Sequence, residues 1–96
     1  MSGRLVAIDT QSGKKIWEVT TGGPIRSTPT LDIEGRIYVG SRDHHIYAVD
    51  AVTGDVLWRQ DLGAEIDSTI AVAAGSKLIV GCDDGGVRIL SEKNEK

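Results

Sequence analysis

Short stretches of alternating apolar and polar residues run through the chain and predict β-strands separated by tight turns. In the middle of the chain these stretches are Ser27 to Leu31, Arg36 to Ser41, His45 to Asp50 and Val56 to Asp61. Turn-forming clusters such as Asp32, Glu34 and Gly35 lie between them. Helix-forming residues do not recur at a spacing of three or four, so the pattern predicts an all-β, four-stranded antiparallel meander.

The predicted strands are apolar on both faces. In one strand Ile37 and Val39 point to one face and Tyr38 to the other, and the next strand repeats this pattern. A sheet that is covered on both faces must stack between two other sheets. About 40 residues for each four-stranded sheet is typical of a β-propeller blade.

The sequence repeats with a period of 41 residues and without a gap. Eleven residues recur identically: Ala7, Asp9, Gly13, Trp17, Gly22, Ile25, Ser27, Thr28, Val39, Gly40 and Asp43 align with Ala48, Asp50, Gly54, Trp58, Gly63, Ile66, Ser68, Thr69, Val80, Gly81 and Asp84. We therefore interpret the 96 residues as a single partial propeller. It consists of repeat 1 (3–43), repeat 2 (44–84), partial repeat 3 (85–91) and a polar tail (92–96).

The order of the strands predicts that both ends of the chain are incomplete blades. An opening pair, Arg4 to Asp9 and Lys15 to Thr20, lacks two inner strands. A closing trio, Ser68 to Ala73, Lys77 to Cys82 and Val87 to Leu90, lacks the outermost strand. Propellers close with about four or more blades, so we expect the C-terminal part of a larger propeller or an assembly of several copies. Uncovered apolar residues such as Ile79 and Val87 predict self-association into dimers or larger, heterogeneous species.

Charge and composition exclude several classes of function. The net charge is -3, and no cluster of Lys and Arg forms a basic stripe, so nucleic acid is not an expected partner. The longest apolar run, Ile70 to Ala74, is too short for membrane insertion. Met1 to Arg4 lead into no signal-peptide core. The sequence indicates no compartment, and its one cysteine, Cys82, excludes an internal disulfide.

Two segments carry a family resemblance. Ala7 to Trp17 and Ala48 to Trp58 resemble the AxDxxTGxxxW tryptophan-docking motif of propeller repeats of the pyrroloquinoline quinone (PQQ) type. The second segment matches every fixed position, and the first has Ser12 where Thr is usual. The resemblance implies a propeller in which eight motif residues are structural: Ala7, Asp9, Gly13, Trp17, Ala48, Asp50, Gly54 and Trp58.

Two functions are consistent with this resemblance, because the repeat occurs in quinone-dependent dehydrogenases and in propellers without a cofactor. Such dehydrogenases add paired cysteines, a calcium site and a catalytic Asp, and this sequence allows us to assign none of them. We therefore expect a non-catalytic scaffold or protein-interaction module, with no catalytic, cofactor-binding or metal residue. PQQ with calcium belongs only to the alternative, a fragment of a quinone-dependent dehydrogenase.

Polar residues at the inner strands and neighbouring turns form a candidate binding rim. Its members are Arg26, Ser27, Arg42, Asp43, Asp67, Ser68, Asp83 and Asp84. The alternative for the serines is a hydrogen bond that only joins neighbouring blades.

Three other features have both a chemical and a structural interpretation. His44-His45 could hold a metal or form a solvated turn, and Asp83 to Gly86 resemble a fragment of a calcium loop or form a turn. Cys82 could be a nucleophile or a small buried thiol. We favour the structural alternative for each.

Overall fold

The computed structural model describes residues 3–67, 70–73, 77–82 and 85–91. These residues form nine strands: β1 (Gly3–Ile8), β2 (Lys15–Thr21), β3 (Thr30–Leu31), β4 (Arg36–Gly40), β5 (His45–Asp50), β6 (Val56–Asp61), β7 (Ala71–Ala73), β8 (Lys77–Gly81) and β9 (Val87–Ser91). No helix long and apolar enough to cross a membrane occurs in this described part of the chain.

The strands form three antiparallel sheets. The N-terminal sheet is β1-β2, the central sheet is β3-β4-β5-β6, and the C-terminal sheet is β7-β8-β9. The predicted succession of two, four and three strands is therefore confirmed within the described residues. The 41-residue period also appears in the strand register. Ala7 lies opposite Trp17 in the N-terminal sheet and Ala48 lies opposite Trp58 in the central sheet, with a register shift directly after each alanine.

The inner strands are shorter than the sequence pattern predicts. The strand predicted from Ser27 begins at Thr30, directly after Pro29. Proline has no amide hydrogen to donate to a ladder, so pairing begins beyond it. In the next repeat the described strand covers Ala71–Ala73, and Ser68 lies outside the described residues.

The central sheet is covered on both faces, as its sequence pattern predicts. On one face Val39, Tyr47 and Val49 pack with Val19 of the N-terminal sheet. The opposite face packs against the C-terminal sheet and the segment that precedes it: Tyr38, Ile46 and Ala48 cluster with Leu62, Ala64, Ile66, Ile70, Leu78, Val80 and Cys82. The two faces of one sheet thus hold the three sheets together through burial of apolar area.

The outer face of the C-terminal sheet is apolar and exposed. Ile79, Val87 and Ile89 retain 38%, 68% and 65% of their accessible surface. One period earlier stand Tyr38, Ile46 and Ala48, which are 1%, 0% and 0% exposed in the central sheet. A face that the fold buries in one repeat is therefore open in the next.

Candidate functional site

The junction between the N-terminal and central sheets is held by Trp17. Its indole Nε1 donates a hydrogen bond of 3.0 Å to the carbonyl oxygen of Ala51. Its ring lies directly against Gly54, where an added Cβ would come within 2.6 Å of the ring Cγ. Only a residue without a side chain fits there, so the ring of one repeat rests on the backbone of the next.

The turn that receives this ring has the same geometry in both repeats. Gly13 and Gly54 have φ angles of 75° and 81°, in the left-handed region that favours glycine. Their amides each donate 2.8 Å hydrogen bonds to the carbonyl oxygens of Asp9 and Asp50. The carboxylates of these aspartates accept amide hydrogens two residues further on, at 2.9 and 2.8 Å.

Trp58 takes the place of Trp17 in the second repeat. It lies opposite Ala48, as Trp17 lies opposite Ala7, so a small residue faces each indole across the ladder. Its ring packs against Tyr38, with ring centroids 6.1 Å apart. Both tryptophans are half-buried and extend the core towards the outer strands.

Two residues of the candidate rim, Arg42 and Asp67, meet in an ion pair. The guanidinium of Arg42 donates two hydrogen bonds of 3.0 Å to the Asp67 carboxylate, and it lies 3.4 Å from Glu65. Arg42 follows β4 of the central sheet, whereas Asp67 lies on the segment leading to the C-terminal sheet. This bidentate pair therefore ties one repeat to the next.

Asp43 joins the central sheet to the segment that follows β2. Its carboxylate accepts a 2.9 Å hydrogen bond from the amide of Gly22 and another from the hydroxyl of Tyr47. The amide of His45 donates to the second carboxylate oxygen at 3.0 Å. Burial alone would raise the pKa of Asp43. The bonds from Tyr47, His45 and Gly22 outweigh it and hold this pKa below its usual value of 3.8.

This arrangement gives a pH-dependent prediction for Asp43→Asn. Because the folded-state pKa is depressed, the contribution of Asp43 is complete above about pH 3.8 and is lost as the pH falls through the folded-state value. We expect Asp43→Asn to cost about 1–3 kcal/mol at neutral pH. Urea unfolding at pH 7 and pH 3 should show the difference between variant and wild type shrinking at the lower pH. A constant difference would contradict the hydrogen-bonding role of the carboxylate.

Of the remaining rim residues, the structure describes Arg26 and Ser27. Ser27 is buried, and its hydroxyl both donates to the carbonyl oxygen and accepts from the amide of Gly40, each at 3.2 Å. That bond lies within one blade, so it does not join neighbouring blades. Arg26 is exposed. Ser68, Asp83 and Asp84 lie outside the described residues.

The histidines and the cysteine occupy a turn and a core position. His44 is exposed and has a φ of 76°, close to the 86° of its repeat equivalent Gly85. The Nδ1 atom of His45 lies 3.0 Å from the carbonyl oxygen of Asp43. Cys82 is a buried thiol. Across the described ranges no group of three His, Cys, Asp or Glu side chains is placed to hold a metal ion.

Several residues at these junctions were missed by the sequence analysis. Tyr47, Glu65 and Ser41 carry no motif, yet the hydroxyl of Ser41 donates to the carbonyl oxygen of Gly23 at 3.0 Å. Only the bond between Gly22 and Asp43 had a signal in the sequence: Gly22 recurs 41 residues later as Gly63, and Asp43 recurs as Asp84. Paired recurrence of a glycine and an acid can therefore mark a bond between blades.

Three stacked antiparallel sheets with a 41-residue period define a segment of a β-propeller. The chain belongs to the family of PQQ-like repeats described as "Outer membrane protein assembly factor BamB", whose family model matches residues 1–95. The resemblance drawn from the tryptophan segments is thereby confirmed at the level of the family. The comparison with curated protein sequences gives no match.

Solved structures that resemble this chain include a methanol dehydrogenase and two propellers. A europium-containing methanol dehydrogenase is 32% identical, with a TM-score of 0.67 over 80% of this chain and 14% of its own. BamB from Moraxella catarrhalis is 20% identical, with a TM-score of 0.73 over 95% of this chain and 34% of its own. The WD40 propeller domain of Doa1 is 21% identical, with a TM-score of 0.85 over 96% of this chain and 31% of its own. The chain thus spans at most about a third of these structures.

Proposed function

We propose that this chain is a non-catalytic scaffold or protein-interaction module, a segment of a larger PQQ-like propeller. The observation that carries the proposal is the open outer face of the C-terminal sheet. Its apolar residues Ile79, Val87 and Ile89 are exposed, although their repeat equivalents are buried under a neighbouring sheet. Contiguous apolar surface of this kind is typical of a protein-binding face.

Three charged side chains of the rim support the same proposal. Arg42 and Asp67 are engaged with each other, and Asp43 is engaged with Tyr47 and Gly22. These groups connect sheets, so their hydrogen-bonding capacity is used within the fold rather than on a small ligand. The family description names an assembly factor, and the proposal extends an interaction role of that kind to this chain.

A fragment of a quinone-dependent dehydrogenase is the second candidate. It is favoured by the 32% identity to a methanol dehydrogenase over 80% of the chain. Under this alternative PQQ and calcium would bind to a longer propeller, with this chain supplying blades.

A cofactor assay separates the two functions. We expect the purified chain, mixed with PQQ and calcium, to show no saturable change in quinone absorbance and no reduction of a redox dye with simple alcohols. An intact quinone-dependent alcohol dehydrogenase serves as the positive control. Stoichiometric quinone binding, or turnover abolished by Cys82→Ala or His45→Ala, would replace the scaffold proposal with the dehydrogenase alternative.

A further inference from the structure

Two turns of the central sheet lie side by side at one end of the blade. They are the β3–β4 turn (32–35) and the β5–β6 turn (51–55). The amide of Ala51 in the second turn donates a 2.8 Å hydrogen bond to the carbonyl oxygen of Gly35 in the first. The carbonyl oxygen of Ala51 accepts the 3.0 Å hydrogen bond from the indole of Trp17. Ala51 therefore brings both turns and the half-buried Trp17 together at this end of the sheet.

Apolar side chains stand at the tips of both turns. Ile33 retains all of its accessible surface, at 102%, and Val52 retains 79%. Neither of them belongs to a core cluster, so their apolar area contributes nothing to the packing of the sheets. We call Ile33, Val52 and Trp17 the turn-end patch. Exposed apolar residues that lie together, rather than scattered singly, mark an interaction site.

The exposure of Val52 does not depend on where the chain begins or ends. Its turn lies beside the N-terminal sheet, whose Trp17 contacts Gly54 and Ala51. Its repeat equivalent Gln11 lies in the N-terminal sheet, beside the central sheet, and is also exposed. The tip of this turn therefore stays open next to a neighbouring sheet on either side. The fold accepts a polar residue at this tip in the first repeat and has an apolar one in the second.

Both turns are fixed by carboxylates, so the patch is ordered before any partner binds. One carboxylate oxygen of Asp32 accepts 2.9 Å hydrogen bonds from the amides of Glu34 and Arg36. The carboxylate of Asp50 accepts a 2.8 Å hydrogen bond from the amide of Val52. A surface that is already ordered loses less conformational entropy on binding than a mobile loop does.

Acidic residues dominate the charge around the patch. The two turns and the residues that border them contain four acidic side chains and one basic side chain: Asp32, Glu34, Asp50, Asp55 and Arg36. The guanidinium of Arg36 is bound to Asp32 and Glu34. The nearest turn of the N-terminal sheet adds one residue of each sign, Asp9 and Lys14. The negative charge therefore favours a partner that carries cations.

We propose that the turn-end patch docks a protein segment in which apolar side chains lie next to Lys or Arg. The proposal rests on the interaction role proposed above and adds the chemistry of a partner. Apolar side chains of the segment cover Ile33 and Val52, and its cations meet the carboxylates of Glu34 and Asp55. The indole of Trp17 offers an aromatic face to the same cations.

Peptide selection on the full chain tests the proposal. A phage-displayed library of random linear peptides is first depleted on the double variant Ile33→Ser/Val52→Ser and then selected on the wild type. We expect the enriched peptides to combine apolar residues with Lys or Arg. The single variants Ile33→Ser and Val52→Ser should each weaken binding of the corresponding synthetic peptides about tenfold, because each removes one apolar side chain from the contact.

Val6→Ser is the matched control for these variants. Val6 is an exposed apolar residue of β1 in the N-terminal sheet, with 39% of its surface accessible. Its replacement should leave the affinity for the enriched peptides unchanged. Thermal melts confirm that each variant is folded, so a loss of binding reports on the patch.

A second pair of variants tests the role of charge. Asp55→Asn should weaken binding about threefold and make it less sensitive to salt, because a carboxylate beside the patch is lost. Gln60→Lys changes the net charge by the same amount near the other end of β6, where Gln60 is exposed. We expect Gln60→Lys to bind like the wild type.

Three results would overturn the proposal. The first is that no peptide prefers the wild type to the double variant. The second is that the enriched peptides lack Lys and Arg or are insensitive to Asp55→Asn. The third is self-association of the wild type that Ile33→Ser abolishes in sedimentation equilibrium, which would make a second copy the occupant.

The interaction role and this docking surface fail separately. Peptides that lose affinity with Ile79→Ser and keep it with Ile33→Ser would assign the interaction role to the C-terminal sheet and remove it from the turn-end patch. Stoichiometric quinone binding in the cofactor assay would instead contradict the interaction role itself.

Discussion

Replacement of Trp58 by alanine is expected to lower the free energy of unfolding by about 3 to 5 kcal/mol. The indole packs against Tyr38 at a centroid distance of 6.1 Å and borders the larger core cluster. Its removal would leave a void at the outer end of that cluster and expose apolar area of Tyr38. Denaturant unfolding measured by circular dichroism gives the difference directly.

Trp58→Phe provides the matched control for this prediction. The phenyl ring keeps part of the contact with Tyr38 and lacks only the indole nitrogen and the second ring, so we expect a clearly smaller loss than for alanine. Trp17→Ala should cost a comparable amount and also removes the hydrogen bond to Ala51. An unchanged midpoint in Trp58→Ala would show that the ring contributes nothing and would contradict the structural role of the motif.

The order and pairing of the strands could be predicted from the sequence because the period relates residues one by one. Ala7, Gly13 and Trp17 each recur 41 residues later, so the interpretation of the turn in the first repeat also applies to the second. The burial of both faces of the central sheet could also be predicted, because the neighbouring apolar residues Tyr38 and Val39 point to opposite faces. At these positions the local hydrophobic pattern and the 41-residue period predict the same structure.

The contacts between sheets could not be predicted, because they join positions that the period does not relate. Arg42 and Asp67 stand 25 residues apart and belong to different repeats, and no alignment of one repeat with another pairs them. Tyr47 has Arg88 as its repeat equivalent, so its bond to Asp43 leaves no repeated signature. The polar residues Arg42, Asp43 and Asp67 could be named from the sequence, whereas their hydrogen-bond partners could be identified only from the coordinates.

Gly54→Ala is expected to cost about 3 kcal/mol, from backbone strain in the left-handed region together with a clash in a packed site. The backbone φ of Gly54 is 81°, and the new Cβ would lie 2.6 to 2.7 Å from three atoms of Trp17. The indole cannot retreat without losing its 3.0 Å hydrogen bond to Ala51. Equilibrium unfolding in urea measures this cost.

The backbone part of that cost is isolated by Gly35→Ala. Gly35 has a φ of 84°, and an added Cβ there would meet nothing within 4 Å, so we expect about 1 kcal/mol. In a Trp17→Gly background, Gly54→Ala should fall to the same value, because all three contacting atoms of Trp17 are gone and the strain remains. A non-additive result of this kind would assign the extra cost of Gly54→Ala over Gly35→Ala to the contact between the Trp17 side chain and the backbone of Gly54. If Gly54→Ala costs no more than Gly35→Ala, the ring of Trp17 does not rest on Gly54 in solution.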